Sequence, residues 1–138
     1  PPPPPPPPPQ LFLMIRRPPR STRCTSRRQR QMCIRDRVGQ DVSLEQAQEA
    51  TTLTTLAILS SLKDELGSLD RITAFGRVLG MVNCAPDFVQ QTPVVDAFSE
   101  LVNAAFPPEV AAHSRAAVGM ASLPMGMSVE IEAEAYFE

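Results

Sequence analysis

The sequence is poor in the residues and motifs that most enzymes use for chemistry. His113 is the only histidine, so one chain cannot supply a histidine-based metal site. The motifs GxGxxG, GxxxxGK[ST], HExxH and CxxC are all absent. Only one of the three cysteines, Cys84, lies after residue 37, and a lone cysteine beside a strand is most often a small buried hydrophobe. We therefore expect neither a cofactor nor a metal.

Long apolar runs are also absent after Val38, so no segment there has the length of a transmembrane helix. The stretch Leu11–Ile15 (LFLMI) is too short for the apolar core of a signal peptide, and its charges follow it. These features predict a soluble, cytoplasmic protein without a membrane partner.

Positive charge is confined to the start of the chain. Residues 1–37 hold nine arginines and one acid, whereas residues 38–138 hold four bases and fourteen acids. Taken literally, the first part is a proline- and arginine-rich arm of the kind that binds nucleic acid.

The nucleotide sequence implied by this arm favours another interpretation. Back-translation of Met14–Thr22 (MIRRPPRST) resembles a short-read sequencing adapter, and that of Arg27–Arg37 (RRQRQMCIRDR) resembles the transposon end joined to it. We therefore expect residues 1–37 to be a disordered artefact and residues 38–138 to be a partial domain that lacks its first strands. No nucleic-acid partner is expected in this interpretation; a functional basic arm is the alternative.

The second region begins with a helix signal. Ser43 and Gln46 have the spacing of a capping box, and Gly67 is placed to end the helix. Apolar residues then recur every three or four positions, which predicts one buried stripe: Ala47, Ala50, Leu53, Leu56, Leu59, Leu62 and Leu66.

Alternating and periodic apolar residues predict the remaining elements. A strand is expected over residues 71–83, with Ile72, Ala74, Val78 and Val82 on its buried face. A second helix is expected after Thr92 as N-cap, with its apolar stripe formed by Val95, Phe98, Val102 and Ala105. Two strands follow, and in the last one Val129–Phe137 alternates apolar residues with glutamates. The predicted class is α+β, with two helices on one face of a sheet.

Arg115 and Glu130 are the candidate site residues. Arg115 is the only lysine or arginine after Arg77, and a guanidinium can hold a carboxylate through two parallel hydrogen bonds. Glu130 could hold a water molecule. On residue chemistry alone, the favoured interpretation of Arg115 is a structural ion pair with a glutamate, and that of Glu130 is a place on a solvated sheet face. His113 is expected at the surface before a strand.

The segment "SRAAVGMASLPMGMSVEIEAEAYF" resembles the C-terminal signature of the Rid family (reactive intermediate deaminases, also called YjgF or L-PSP endoribonucleases). The pattern is Arg115, then Leu123-Pro124, then the Val129–Ala133 strand VEIEA. The helix segment "SLEQAQEATTLTTLAILSSLKDELGSLDRI" is similar to the same family, especially to a less characterised branch whose helix carries A-L-x-x-L-K-x-x-L-G-x-L-D-R.

The resemblance implies a chorismate-mutase-like (YjgF-like) fold and homotrimers with a cleft between subunits. It also implies hydrolysis of reactive 2-enamine or 2-imino acids to 2-keto acids and ammonia. In that scheme Arg115 binds the substrate carboxylate, Glu130 positions the attacking water, and the backbone carbonyl of Ala117 helps to hold that water. A trimeric keto-acid-binding or regulatory protein without turnover is the alternative.

Overall fold

The computed structural model describes residues 10–14, as backbone, and residues 37–138 in full. Four strands form one sheet in the order β1-β4-β2-β3. The strands are β1 (Gln10–Met14), β2 (Ile72–Asn83), β3 (Ser114–Met120) and β4 (Val129–Phe137). β4 runs antiparallel to both β1 and β2, whereas β3 runs parallel to β2. The helices are α1 (Leu44–Leu66), α2 (Gln91–Ala105) and the short α3 (Pro108–Ala111).

The predicted α+β class is confirmed, and the fold is chorismate-mutase-like. The long helices α1 and α2 share one hydrophobic core with β2 and β4. β3 occupies one edge of the sheet, because within the described residues it pairs with β2 alone.

Strand β1 is an element that the sequence analysis does not predict. It pairs with β4 from Gln10 opposite Tyr136 to Met14 opposite Glu132. Residues 1–9 and 15–36 lie outside the described residues, so the adapter origin of residues 1–37 stays a prediction.

The capping signals of α1 are confirmed. The Ser43 hydroxyl accepts from the Gln46 amide, and the Gln46 side chain accepts from the Ser43 amide. Glu45 lies in the first turn, where a backbone amide and the Ser43 side chain donate to its carboxylate and lower its pKa. Gly67 ends the helix with a φ of 80°, a conformation that a glycine adopts without strain.

The buried stripe of α1 differs from the prediction at two residues. Leu53 and Leu56 are 44% and 49% exposed, whereas Thr51 and Thr55 are fully buried. A residue three positions along an α-helix is rotated by about 60° away from the starting face, so successive three-residue steps move off it. The two threonine hydroxyls donate to the carbonyls of Ala47 and Thr51, which satisfies them inside the core.

Strand β2 and helix α2 need three smaller corrections. Irregular register between Ile72 and Val78 places Phe75, not Ala74, in the core. Helix α2 begins at Gln91 rather than after Thr92, and Gln90 caps it without a side-chain hydrogen bond. Ala105 is exposed and is the last residue of the helix.

The alternation predicted for β4 is confirmed. Val129, Ile131, Ala133 and Ala135 are buried, and the residues between them are half-buried. The sheet therefore has a covered face, packed against α1 and α2, and an open face that carries Glu130, Glu132 and Glu134.

Candidate functional site

Arg115 is held at the edge of the sheet by two residues of α2. One of its terminal nitrogens, Nη2, lies 2.6 Å from Oδ1 of Asp96, and the other, Nη1, donates to Oγ of Ser99 at 2.9 Å. The Arg115 side chain is 20% exposed. A guanidinium has five N–H donors, so three, including Nε–H, remain without a partner among residues 37–138.

His113 lies next to the same cluster, and it is not the surface residue that the sequence analysis expects. Its Nε2 is 2.9 Å from Oγ of Ser99, its Nδ1 is 2.6 Å from the carbonyl oxygen of Ala111, and its ring meets that of Phe98 edge-on. A carbonyl oxygen can only accept, so Nδ1 carries a proton. In the neutral ring Nε2 is then an acceptor, and the Ser99 hydroxyl donates to it.

The position of α2 depends on a glycine in the sheet. An added Cβ at Gly80 would lie 2.4 Å from Cγ2 of Val95, so α2 packs directly against the backbone of β2. Phe98 and Val102 fix the same helix in the core. Asp96 and Ser99 are three residues apart and therefore share the face of α2 that meets β3.

Ala117 lies on the same side of β3 as Arg115, two residues further along. It pairs with Gly80 of β2, and its side chain packs against the core. The role that the sequence analysis gives Ala117 uses its carbonyl oxygen, and β3 is an edge strand on which alternate residues turn their backbone groups away from the sheet.

Glu130 is on the other face of the sheet from Arg115. Met81 pairs with both Glu130 and Val118, and Val118 is three residues from Arg115, an odd number that reverses the face. Two strand spacings and three residue rises separate the Cα atoms of Arg115 and Glu130 by roughly 14 Å. One chain therefore brings Arg115 and Ala117 together but does not bring Glu130 to them.

Sequence reasoning did not identify Asp96 or Ser99. It anticipates an ion pair for Arg115 as one interpretation but names glutamate as the partner, whereas the partner is an aspartate. Two polar residues three positions apart, beside the apolar Val95 and Phe98, were the available signal.

Two other features of the described residues bear on chemistry. Cys84 is a buried free thiol, as predicted, and the Gln91 side chain donates to its sulfur at 3.7 Å. In the part of the chain that the structure describes, no three His, Cys, Asp or Glu residues are grouped as a metal site would require. None of the described helices is long and apolar enough to cross a membrane.

Comparisons with known proteins agree on the fold. The chain is 34% identical over 101 residues to protein TCP17 of Trypanosoma cruzi, a match that covers 73% of this chain and 63% of that protein. The crystal structure of Atu1372 from Agrobacterium tumefaciens, a protein of unknown function, superposes with a TM-score of 0.71 at 39% identity, over 75% of this chain and 66% of that one. No protein-family model matches the chain.

A second similar structure carries a functional description. It is a proposed endoribonuclease from Shewanella oneidensis, with a TM-score of 0.70 at 24% identity, over 75% of this chain and 68% of that one. At this identity the likeness shows the fold alone. The chain thus spans about two thirds of the length of each of the three proteins.

Proposed function

We propose that this chain is a Rid-family protein that hydrolyses 2-imino acids to 2-keto acids and ammonia in the cytoplasm. The observation that carries the proposal is Arg115 at the sheet edge, anchored by two hydrogen bonds and still offering three N–H groups to a ligand. Its spacing to Leu123-Pro124 and to Glu130 is that of the Rid signature. The shared fold is consistent with that membership.

In the proposed reaction Arg115 binds the substrate carboxylate, and its fork of donors favours two parallel bonds. A water molecule held by the Glu130 carboxylate and the Ala117 carbonyl adds to the imine carbon, and a proton passes to the nitrogen. The new hydroxyl group then gives its proton to the nitrogen, the C–N bond breaks, ammonia leaves, and the carbon becomes a ketone. Imine hydrolysis needs little beyond orientation of the two reactants, so no cofactor enters the scheme.

The two side chains lie on opposite faces of one sheet, so we place the reaction between subunits of a homotrimer. Among the described residues Arg115 and Ala117 belong to an edge strand, where a second copy can approach without displacing a described neighbouring strand. The proposal assigns the water-holding carboxylate to Glu130 of an adjacent copy.

The first test compares Arg115→Ala and Arg115→Lys with the parent, using 2-iminopropanoate generated in the cuvette and measuring pyruvate release. Loss of the carboxylate contact should reduce kcat/KM by a factor of about 100 or more in Arg115→Ala. Lysine keeps the charge but lacks the fork, so Arg115→Lys should recover only part of the rate. Equal kcat/KM in parent and Arg115→Ala would remove the assigned role.

Mixed oligomers test whether the site spans two subunits. Arg115→Ala and Glu130→Gln chains are each expected to be inactive alone. If each site takes Arg115 from one copy and Glu130 from the next, trimers reassembled from equal amounts should recover about one quarter of the parent activity. Activity that stays at zero in verified mixed trimers would place both residues in one chain or remove Glu130 from the site.

The second candidate function is binding of keto acids without turnover. It is favoured by the ion pair to Asp96, which already stabilises Arg115 without a substrate, and by the distance of Glu130 in one chain. Calorimetry with pyruvate and 2-oxobutanoate separates the two functions. Binding that needs Arg115, together with no hydrolysis of the imines, would establish the non-catalytic alternative.

A further inference from the structure

Three polar groups around Arg115 are arranged in one direction of hydrogen-bond donation. With the His113 ring neutral, Arg115 donates to Ser99, Ser99 donates to His113, and His113 donates to the carbonyl of Ala111. The carbonyl of Ala111 can only accept, so it fixes the proton on Nδ1 of the neutral imidazole and leaves Nε2 as the acceptor for the Ser99 hydroxyl. The Ser99 hydroxyl is therefore left with its lone pairs towards Arg115.

The strength of the Asp96 ion pair does not explain this arrangement. The Asp96 side chain is 43% exposed, and solvent-exposed ion pairs add little to stability. An arginine side chain has several rotatable bonds, and fixing it before a ligand arrives lowers the entropy lost on binding. The two hydrogen bonds from Arg115 to α2 instead hold the plane of the guanidinium in one orientation.

We propose that Ser99 is a positioning residue for Arg115 and that His113 sets the orientation of the Ser99 hydroxyl. Asp96 holds the second terminal nitrogen of the same guanidinium. Together they leave Nε–H and one further N–H on each terminal nitrogen for a carboxylate ligand. This inference rests on the proposed function, because it presumes that the ligand of Arg115 is a carboxylate.

The proposal predicts a link between ligand and histidine that a purely structural role would not give. A carboxylate bound to Arg115 polarises the guanidinium and so alters its hydrogen bond to Ser99. The hydrogen bond from Ser99 to Nε2 of His113 then changes as well. His113 is the only histidine of the chain, so its ring gives one set of NMR signals to follow. Addition of pyruvate should shift the Nε2 and Hε1 signals of His113 in the parent protein. The 15N shifts of the same ring should also show that Nδ1 carries the proton.

The variants Ser99→Ala and Ser99→Thr form the matched pair. Ser99→Ala removes the hydroxyl and should weaken pyruvate binding roughly three- to tenfold, raise KM more than it lowers kcat, and abolish the shift at His113. Ser99→Thr keeps a hydroxyl on the same helix face and should restore both the affinity and the shift. His113→Gln, which cannot reproduce the fixed ring acceptor, should behave like Ser99→Ala.

The outcomes separate this inference from the function on which it depends. If Arg115→Ala loses pyruvate binding while Ser99→Ala binds as the parent does, the positioning role is wrong and the function stands. If Ser99→Thr fails to restore binding although circular dichroism shows it folded, the role is also wrong. A parent that neither binds pyruvate nor hydrolyses the imine would overturn the proposed function first, and the inference with it.

Discussion

The two faces of the sheet differ although they are built from the same strands. On the covered face, Val82 and Ile131 are at most 1% exposed, and Gly80 has no space for a side chain. On the open face, Leu79, Met81 and Ala116 are half-buried and Val118 is 38% exposed. Glu130, Glu132 and Glu134 stand among them at a spacing of two residues.

The difference shows that the two halves of the candidate site obey different constraints. Arg115 is on the covered face, where α2 fixes its direction through Asp96 and Ser99. Glu130 is half-buried on the open face, on the opposite side of the sheet from α2. The two candidate residues therefore lie in different surroundings: a guanidinium held by α2, and a carboxylate on the face that α2 does not cover.

Replacing one valine on each face by alanine should change the free energy of unfolding by very different amounts. Val82→Ala should lower the free energy of unfolding by about 2–3 kcal/mol, because it loses buried apolar surface and leaves a cavity. Val118→Ala should cost less than about 0.5 kcal/mol in a single chain, since Val118 is already in contact with solvent. Urea denaturation at low protein concentration measures both.

The same two variants also test whether the open face is exposed to solvent in solution. If Val118→Ala costs as much as Val82→Ala, and the cost falls as the protein is diluted, another copy covers the open face in solution. In that case the contrast between the faces belongs to the isolated chain, and the assembly part of the proposed function gains support.

A second comparison uses two glycines of β2. In Gly80→Ala the new methyl group meets Val95, a stiff and fully buried side chain, and should cost about 1–3 kcal/mol. In Gly76→Ala the methyl group meets Oε2 of Glu134 at 2.8 Å, Cε2 of Tyr136 at 2.9 Å and Cβ of Glu134 at 3.2 Å. The two half-buried side-chain ends can move and the Cβ contact needs only a small shift, so the free energy of unfolding should fall by less than about 1 kcal/mol.

Gly80→Ala also tests how the covered face positions Arg115. Displacing α2 from the sheet moves Asp96 and Ser99 relative to β3, so pyruvate affinity should fall with stability. Gly76→Ala should leave that affinity unchanged. Similar losses of affinity in both variants would show that the position of α2 does not determine the orientation of the Arg115 guanidinium.

Local features of the fold are predictable from the sequence, and features that depend on packing are not. The capping box of Ser43 and the alternation of β4 rest on neighbours within a few residues, and both predictions are confirmed. The spacing of three or four residues predicts Leu53 and Leu56 in the core, yet their angular position on the helix places them outside.

The candidate site shows the same limit more clearly. Arg115 can be identified from its isolation in an acidic segment and from the signature around it. Its contacts to Asp96 and Ser99 join residues 19 and 16 positions apart, and they exist only because α2 crosses to the sheet edge over Gly80. No spacing in the sequence encodes that contact, and none shows that Glu130 faces away from it.

Two threonine hydroxyls of α1, one buried and one half-buried, should make a small and unequal difference to the free energy of unfolding. Thr55 is fully buried, whereas Thr54 is half-buried, and each donates to the carbonyl four residues earlier. Those carbonyls already accept the amide bonds of α1, so valine at either position leaves no acceptor unpaired. Thr55→Val should therefore raise the free energy of unfolding by up to about 1 kcal/mol, because a methyl group replaces a polar group in an apolar layer. Thr54→Val should change it by less than about 0.3 kcal/mol, since its surroundings are partly aqueous. A clear loss of stability in Thr55→Val, measured by urea denaturation beside Thr54→Val, would mean that the covered face needs this hydroxyl and is less apolar than its burial indicates.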